Sequence, residues 1–348
     1  MLKTKHLNFL MVLSLCVFYG LVILMHFYSF LNTPVHFSTE INSFEVPVDM
    51  PLKSIANQLK TRGIIDNAFY FSLYIRLLGK QNEIKPGEYL LDAELTPKTL
   101  AKVMIEGRII QYKLTVPEGW TFKKMLDVLY AQPQIVASLK NRSELELVKI
   151  LALSHHSLEG FFFPDTYYFY KGMTDKVLLE TATDRMKKVL AEEWEKRDLN
   201  LPYKNSYQAL VMASIVEKET GAKEERTKIA GVFVRRLQKG MLLQTDPSVI
   251  YGLKGLYQGD LTDKNLKIET PYNTYLNHGL PPTPICLPGR QAIHAALHPD
   301  LDNTLYFVAK GNGTHVFSAT LEEHNRAVYR YQVLPMKSKM LDKQFERQ

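Results

Sequence analysis

The chain has 348 residues, of which 46% are hydrophobic and 23% are charged, and its net charge is +7 at pH 7. This length and composition allow a substantial buried core in two or three globular parts, and they exclude a disordered or fibrous protein. The positive charge favours anionic partners such as a membrane surface or a cell-wall polymer. Because the basic residues are dispersed and form no basic stripe, we expect no nucleic-acid binding.

The N-terminal segment is predicted to be a transmembrane anchor. Residues 7–31 are almost wholly apolar, with His26 as the one basic side chain, and the stretch is long enough to span a bilayer. Residues 28–31 offer no small-residue cleavage site, so an uncleaved helix is favoured over a signal peptide. Two lysines precede the span, which predicts that residues 1–6 are cytoplasmic, that the chain crosses the membrane once and that the remainder is exported.

The two cysteines bear on the same question. Cys16 could mark a lipoprotein, but bulky Leu15 stands where a small residue is expected and Cys16 lies inside the span. The other cysteine, Cys286, is far away in the chain, so we expect no intrachain disulfide.

Residues 32–43 read as a short polar tether, and residues 44–155 as small β/α units. A strand, turn and helix begin at Val46 and again at Val116, 70 residues later. A third, partial unit opens with Thr96 and Pro97, since proline suits a first helical turn. Such units resemble LysM modules that bind glycans, but a strand followed by a helix is a common pattern. The repeat therefore supports modularity better than it supports sugar binding.

Residues 156–335 are predicted to form a second domain, followed by a tail at 336–348. A long helix is expected over about 175–196, and a central helix over about 206–220 with Ser206 as its N-cap. A strand-like segment at 305–308 precedes a final helix. The fold class is therefore α+β.

The central helix carries the most informative residues. It is apolar almost all round, which predicts burial, yet it ends with Glu217 and Glu219. At 100° per residue the two carboxylates point about 160° apart, so they cannot easily share one site. A carboxyl group held against apolar side chains favours its neutral form, as a general acid must at neutral pH. The role of Glu219 stays open.

The segments after this helix are rich in groups that suit sugars. They contain amides, hydroxyls and aromatic rings at Gln244, Asp246, Tyr272 and Asn273. The same residue types also build turns, so composition alone leaves both interpretations open.

Other chemistries leave little trace in the sequence. It contains no Gly-x-Ser-x-Gly elbow, P-loop, dinucleotide-binding glycine motif or Cys-x-x-Cys. His294 and His298 stand at the i, i+4 spacing of two metal ligands, but no Glu follows His294 as in a zinc protease helix, and Pro299 ends the segment. We therefore expect polar or capping histidines, with no metal and no cofactor.

With these residues in view, the chain resembles the YceG-like family of endolytic murein transglycosylases, from the anchor to about residue 335. The resemblance implies that the anchor lies in a bacterial inner membrane and that the exported part is periplasmic. Together with the Glu217 helix, five segments carry the resemblance: 158–160 with 163–167, 243–252, 272–275, 279–282 and 315–318. The sequence departs from the family pattern at Thr283 and at Cys286-Leu287, which puts the shape of one cleft wall in doubt.

The resemblance implies cleavage of the β-1,4 bond between N-acetylmuramic acid and N-acetylglucosamine within a peptidoglycan strand, leaving a 1,6-anhydromuramoyl end. It implies that Glu217 is the catalytic residue, first as the acid that protonates the leaving oxygen and then as the base that deprotonates the muramoyl 6-hydroxyl. Since the nucleophile belongs to the substrate, no second carboxylate is needed. Candidate substrate-binding residues are Gln244, Tyr272, Asn273, Asp165 and Asp246, although the two aspartates fit a cleft-stabilising role equally well.

Two alternatives remain open at this point. A hydrolase would use water as the nucleophile and leave a reducing end. A scaffold of the cell-wall assembly machinery would bind glycan without turnover, and cell-wall synthesis proteins are candidate partners for either an enzyme or a scaffold. A membrane anchor suits the lytic transglycosylase, the hydrolase and the scaffold equally, so it does not distinguish among these three functions.

Overall fold

The protein, seen in a computed structural model that describes residues 2–35, 42–92, 94–257 and 259–337, combines helices with three small two-stranded sheets. The chain divides into two compact units. The first is Met1–Tyr112 with Tyr168–Met173, and the second is Lys113–Tyr167 with Thr174–Gln348. Most of the predicted tether and most of the predicted tail lie outside the described residues.

The first unit begins with a long helix and continues as a small α+β structure. Its elements are α1 (Leu2–Asn32), β1 (Ser43–Val46), α2 (Leu52–Thr61), α3 (Ala68–Leu77), β2 (Gly87–Leu90) and α4 (Pro97–Glu106). Strands β1 and β2 pair antiparallel, with Ser43 opposite Leu90. Apolar side chains from both strands and from α2, α3 and α4 form one core, in which Phe44, Phe71 and Tyr89 are fully buried. The predicted helix after Thr96 is confirmed, and Thr96 caps it.

Helix α1 contains the predicted anchor. Its segment Phe9–Asn32 has a mean hydropathy of 2.3, and none of its most apolar window is buried within the protein. The helix is therefore long and apolar enough to cross a membrane.

Two further strands, β3 (Tyr112–Thr115) and β4 (Thr166–Phe169), pair with each other. The second unit is mainly helical. Its helices are α5 (Phe122–Leu129), α6 (Glu144–Ile150), α7 (Asp175–Glu195), α8 (Ser206–Glu219), α9 (Arg226–Gln238), α10 (Asp246–Leu253), α11 (Asp263–Leu266), α12 (Arg290–Leu297) and α13 (Leu321–Val328). An antiparallel hairpin, β5 (Tyr306–Ala309) and β6 (His315–Ser318), precedes α13.

Helix α8 lies at the centre of the second unit. It packs against α7, α9, α10 and α12, and every residue from Ala209 to Val216 is buried. The prediction of a buried central helix is confirmed, but its cap is wrong by one residue. Asn205, whose side chain accepts a hydrogen bond from the Gln208 amide (3.0 Å), is the N-cap, and Ser206 is the first helical residue. Asparagine and serine cap equally well, so composition could not separate them.

Two other predicted elements agree closely with the structure. Helix α7 ends one residue before the predicted limit, and β5 begins at Tyr306. Strand β6 was not anticipated, because its four residues follow a glycine-rich turn with little periodic signal. Residues 113–155 pack within the second unit, whereas the sequence groups them with the glycan-engaging region. What that region binds stays a prediction.

Candidate active site

Glu217 occupies the last turn of α8, where the buried helix emerges at the surface of its unit. The seven residues before it are apolar or small and fully packed, so the helix brings the carboxyl group out of a rigid core. Only 5% of the Glu217 side chain is exposed. A carboxyl group in this position has a fixed direction and little contact with bulk water.

Both carboxylate oxygens of Glu217 have a partner. The Gly289 amide, at the start of α12, donates to Oε2 at 2.9 Å. The Arg226 guanidinium, at the start of α9, donates to Oε1 through Nη2 at 3.1 Å. The Arg226 side chain is 7% exposed and also donates to the Gln291 side chain at 2.6 Å. The site is therefore built where the ends of three helices meet.

A turn after β3 adds a second carboxylate to this site. The Gly119 amide donates to the Leu287 carbonyl (2.9 Å), and the Leu287 amide donates to the Trp120 carbonyl (2.7 Å), so the turn is tied to the loop before α12. Glu118 then lies 3.5 Å from Nη2 of Arg226, with its side chain 45% exposed. Glu118 also lies directly against Gly289, where a Cβ atom would overlap its carboxylate.

The surroundings of Glu217 favour both of its protonation states. Burial raises the pKa of Glu217 above its ordinary value, while the Gly289 amide and the Arg226 charge oppose that rise. Burial thus stabilises the neutral acid, and the two donors stabilise the carboxylate. A group that first gives and then takes a proton requires support for both forms.

A further buried carboxyl group, Glu159, lies in the loop before β4. It accepts hydrogen bonds from the Phe122 amide (2.8 Å) and from the Tyr251 hydroxyl (3.2 Å). Burial raises the pKa of Glu159 to about 7. The Tyr251 ring in turn meets the Tyr272 ring edge to face, with 5.0 Å between the ring centroids. Glu159 therefore supports an aromatic wall formed by Tyr251 and Tyr272, and its hydrogen-bond partners differ from those of Glu217.

Glu219 faces a different environment from Glu217, as the helical spacing predicts. Its carboxylate accepts a hydrogen bond from the Thr245 hydroxyl, and burial raises the pKa of Glu219 to about 7, with the nearby Asp246 charge acting in the same direction. Since the partners of the two carboxylates differ throughout, they belong to separate clusters.

The residues predicted to bind substrate lie in three different surroundings, and none of them forms a hydrogen bond with Glu217. Gln244 and Asp246 lie on the Glu219 side. Gln244 is exposed with a left-handed backbone (φ 51°), and Asp246 accepts a hydrogen bond from the Tyr275 hydroxyl (2.6 Å). Tyr272, part of the aromatic wall with Tyr251, shares a hydrogen bond between its hydroxyl and that of Thr283 (2.9 Å). Thr283, which departs from the family pattern, therefore completes this wall.

Asn273 and Asp165 are engaged in holding the fold. Asn273 is fully buried, and its amide nitrogen donates to the carbonyls of Leu266 (2.9 Å) and Ile268 (2.8 Å). Asp165 pairs with Arg185 of α7 at 2.5 Å. Asp165 was considered for sugar binding and for stabilising the cleft, and its ion pair with Arg185 is a contact of the second kind. A sugar contact for either side chain stays a prediction.

Sequence reasoning missed three residues at the site: Glu118, Arg226 and Gly289. Glu118 lies in the repeated strand-turn-helix unit at Val116, where only modularity was inferred. The other two come from distant segments and carry no motif in the sequence. Helix termini could have pointed to them, because Arg226 opens α9 and Gly289 precedes α12.

Comparisons with known proteins agree on one family. A sequence profile described as the YceG-like family matches residues 44–330. The chain is 32% identical over 310 residues to the endolytic murein transglycosylase of Bacillus subtilis (strain 168), covering 84% of this chain and 85% of the relative. It is 29% identical over 318 residues to the endolytic murein transglycosylase of Streptococcus pneumoniae (serotype 2, strain D39), covering 81% of this chain and 57% of that relative.

A solved structure is similar as well. The crystal structure of a YceG-like protein from Listeria monocytogenes superposes with a TM-score of 0.54 at 32% sequence identity. The match covers 82% of this chain and 98% of the Listeria chain. The two chains therefore share a fold over most of their length.

Proposed function

Because this chain belongs to the YceG-like family, we propose that it is an endolytic murein transglycosylase that cleaves peptidoglycan strands within their length. The observation that carries the proposal is the match to relatives of that name, which extends over most of this chain and includes the Glu217 helix. The site supports it with one buried carboxyl group whose two protonation states are both stabilised.

In the proposed reaction Glu217 acts twice. As the neutral acid, which burial favours, it protonates the glycosidic oxygen that leaves from the muramic acid anomeric carbon. As the resulting carboxylate, it takes the proton of the muramoyl 6-hydroxyl while that oxygen attacks the same carbon. The products are a free hydroxyl on the departing sugar and a 1,6-anhydro end, so no water is consumed.

The Gly289 amide and Arg226 stabilise the Glu217 carboxylate in the interval between these two proton transfers. Each donates to one carboxylate oxygen, at 2.9 Å and 3.1 Å, and each stabilises the charged form. Their joint effect is to lower the free energy of the carboxylate that remains after the first transfer. They also hold the group in one orientation for the second.

A hydrolase is the second candidate, and one contact favours it. Glu118 and Glu217 both bond Nη2 of Arg226, at 3.5 Å and 3.1 Å, so a second carboxylate stands close to the first. Most glycoside hydrolases use a pair of carboxylic residues as their catalytic groups. Glu118 as a base for water would leave a reducing end, whereas the lytic reaction needs Glu118 only as a second anion beside Arg226.

We also propose that the anchor and the N-terminal region place the enzyme on its substrate. Helix α1 would cross the cytoplasmic membrane once, with residues 1–6 inside and the chain after the span on the outer face, because lysines precede the span. Residues 44–155 would contribute LysM-like glycan engagement. The strand-helix-helix-strand arrangement of β1, α2, α3 and β2 supports a modular unit there.

The deciding experiment is mass spectrometry of purified glycan strands digested by the full-length chain in detergent micelles. Wild type is compared with Glu217→Gln and with Glu195→Gln, a control at an exposed position on α7. We expect 1,6-anhydromuramoyl ends from wild type and the control, and none from Glu217→Gln, which should still bind glycan. Reducing ends would establish the hydrolase, and a folded wild type without products would establish a binding scaffold.

A further inference from the structure

A cluster of metal-binding side chains lies outside the Glu217 site. Glu193 on α7, His294 on α12 and His298, which caps the end of α12, each present one ligand atom, and these atoms lie within 4.8 Å of one another. The two histidines are those whose i, i+4 spacing is evident in the sequence. The third ligand comes from a helix about 100 residues earlier, so no local motif could disclose it.

Each imidazole is already oriented by a carboxylate. Nδ1 of His294 lies 2.9 Å from Oε2 of Glu193, and Nδ1 of His298 lies 2.9 Å from Oδ1 of Asp198. The two rings face each other at 33°, with 4.3 Å between their centroids. For His298, the Asp198 carboxylate lies behind the ring and is the usual outer support of a metal ligand, because it fixes the ring and its tautomer. Glu193, beside His294, is a ligand itself.

The spacing also suits a metal ion. Ligands bound about 2.0–2.1 Å from one ion are roughly 3 Å apart when they are neighbours. The 2.9 Å between His294 and Glu193 is close to that separation, so an ion that replaces the shared proton needs little rearrangement there. The ligand atom of His298 lies within 4.8 Å of those of His294 and Glu193.

The cluster is open to a metal ion and to its water ligands. The His294 side chain is 54% exposed and the His298 side chain 24%, whereas Glu193 is 10% exposed. Glu193 and His294 also line a cavity of about 340 Å³. An ion could enter from solvent and complete its coordination with water.

Three basic side chains, Lys223, Arg226 and Arg290, also line this cavity, and of these Arg290 pairs with Glu193. Arg290 binds Oε1 of Glu193 at 2.8 Å, but it also binds Glu192 at 2.6 Å, so its charge is matched by a separate carboxylate. Oε2 of Glu193 faces His294 and stays available to an ion. Asp198 supplies a further negative charge beside His298.

We propose that Glu193, His294 and His298 form a binding site for a divalent transition metal, zinc foremost, with Asp198 supporting His298. Two imidazoles and one carboxylate suit zinc, whereas calcium and magnesium prefer oxygen ligands alone. The ion joins the C-terminal end of α7 to the C-terminal end of α12. Helix α12 begins beside Gly289, which holds Glu217, so the metal braces the helix that carries the catalytic contact.

The test is zinc titration of untagged, chelator-treated full-length protein in detergent micelles by isothermal titration calorimetry. We expect one ion per chain, with affinity lowered at least tenfold in His294→Gln and in His298→Gln, and lowered about tenfold in Asp198→Asn. His278→Gln is the matched control, because His278 is exposed and its ring contacts the Gly240 carbonyl, which is outside the cluster. This variant should bind zinc with the affinity of wild type.

Two spectroscopic readouts complete the experiment. Cobalt should give visible absorption bands in wild type that weaken in both histidine variants, and zinc should raise the thermal unfolding midpoint of wild type but not of those variants. Far-UV circular dichroism of the metal-free proteins checks that all are folded. Absence of zinc binding by wild type, or unchanged binding in folded His294→Gln and His298→Gln, would overturn the proposal.

Discussion

Glu217 and Gly289 are joined by a 2.9 Å hydrogen bond from the Gly289 amide to the Glu217 carboxylate, which connects the end of α8 to the residue that caps α12. Gly289 needs no special backbone angle, since its φ is −78°. What demands glycine is space, because a Cβ atom would overlap the Glu118 carboxylate. Three segments therefore approach closely at one glycine.

Gly289→Ala should displace Glu118 and lower the rate of glycan cleavage roughly tenfold to a hundredfold while the protein stays folded. Glu118 is partly exposed, so its side chain can swing away at little cost in stability. Initial rates on purified glycan measure the effect. Gly255→Ala is the control, because nothing lies within 4 Å of a Cβ atom there.

A double-mutant cycle tests the cause of that loss. If displacement of Glu118 is the whole effect, Gly289→Ala should have no further effect in a Glu118→Ala background. Additive losses would show instead that the alanine disturbs the Glu217 hydrogen bond directly.

Arg226→Gln should shift the alkaline limb of the pH–rate profile to higher pH and lower the maximal rate. The Arg226 charge opposes the rise in the pKa of Glu217, so removing that charge raises this pKa further. An acid with a higher pKa stays protonated to higher pH, but its carboxylate form is less stable for the second proton transfer. The limb is read from kcat/KM against pH.

Two other variants distinguish the effect of the Arg226 charge on the pH–rate profile from a general loss of activity. Arg226→Lys keeps the charge and should leave the limb near its wild-type position. Arg142→Gln removes a cation from an exposed ion pair with Glu146 and should change neither limb nor rate. A limb that stays in place in Arg226→Gln would mean that a group other than Glu217 controls it.

The sequence predicted the part of the site that a single helix creates. An apolar helix that ends in a carboxylate must bury most of its length, so the placement of Glu217 followed from residues 206–220 alone. Its partners could not be predicted in the same way. Arg226 and Gly289 are brought to Glu217 by the packing of α9 and α12 on α8, which depends on contacts between distant segments.

For the fold as well, features set by local sequence were predicted, and features set by contacts between distant segments were not. The long helices α7 and α8 were predicted to within one residue at each end. The strand β6 was missed because only Val316 and Phe317 of its four residues are apolar, whereas the equally short β5 is apolar throughout. The division of the chain at Tyr112 also depends on tertiary packing, since the sequence changes in character only near His155.

Glu159→Gln should make the second unit more stable relative to wild type as the pH rises from about 4.5 to 7. Burial raises the pKa of Glu159 from 4.5 to about 7, so over this range the unfolded chain loses a proton that the folded protein keeps. Wild type therefore loses stability with rising pH. At about 1.4 kcal/mol per pKa unit, the difference from Glu159→Gln should change by about 3 kcal/mol across the interval.

Urea unfolding followed by tryptophan fluorescence measures this difference, because Trp120 and Trp194, the two tryptophans of the chain, both lie in the second unit. Glu195→Gln, at an exposed position, should parallel wild type at every pH. Parallel curves for wild type and Glu159→Gln would contradict a raised pKa at Glu159.

Asn273→Ala should lower the free energy of unfolding by about 1–3 kcal/mol, since two backbone carbonyls and the Tyr275 amide lose their side-chain partner. If the residue acts only through this loop, KM for glycan should change little at temperatures where the variant is folded. Gln244→Ala, at an exposed position, provides the comparison and should leave stability within about 0.5 kcal/mol of wild type. A large rise in KM with unchanged stability would instead place Asn273 in contact with the sugar, which would require the loop at Leu266 and Ile268 to open when glycan binds.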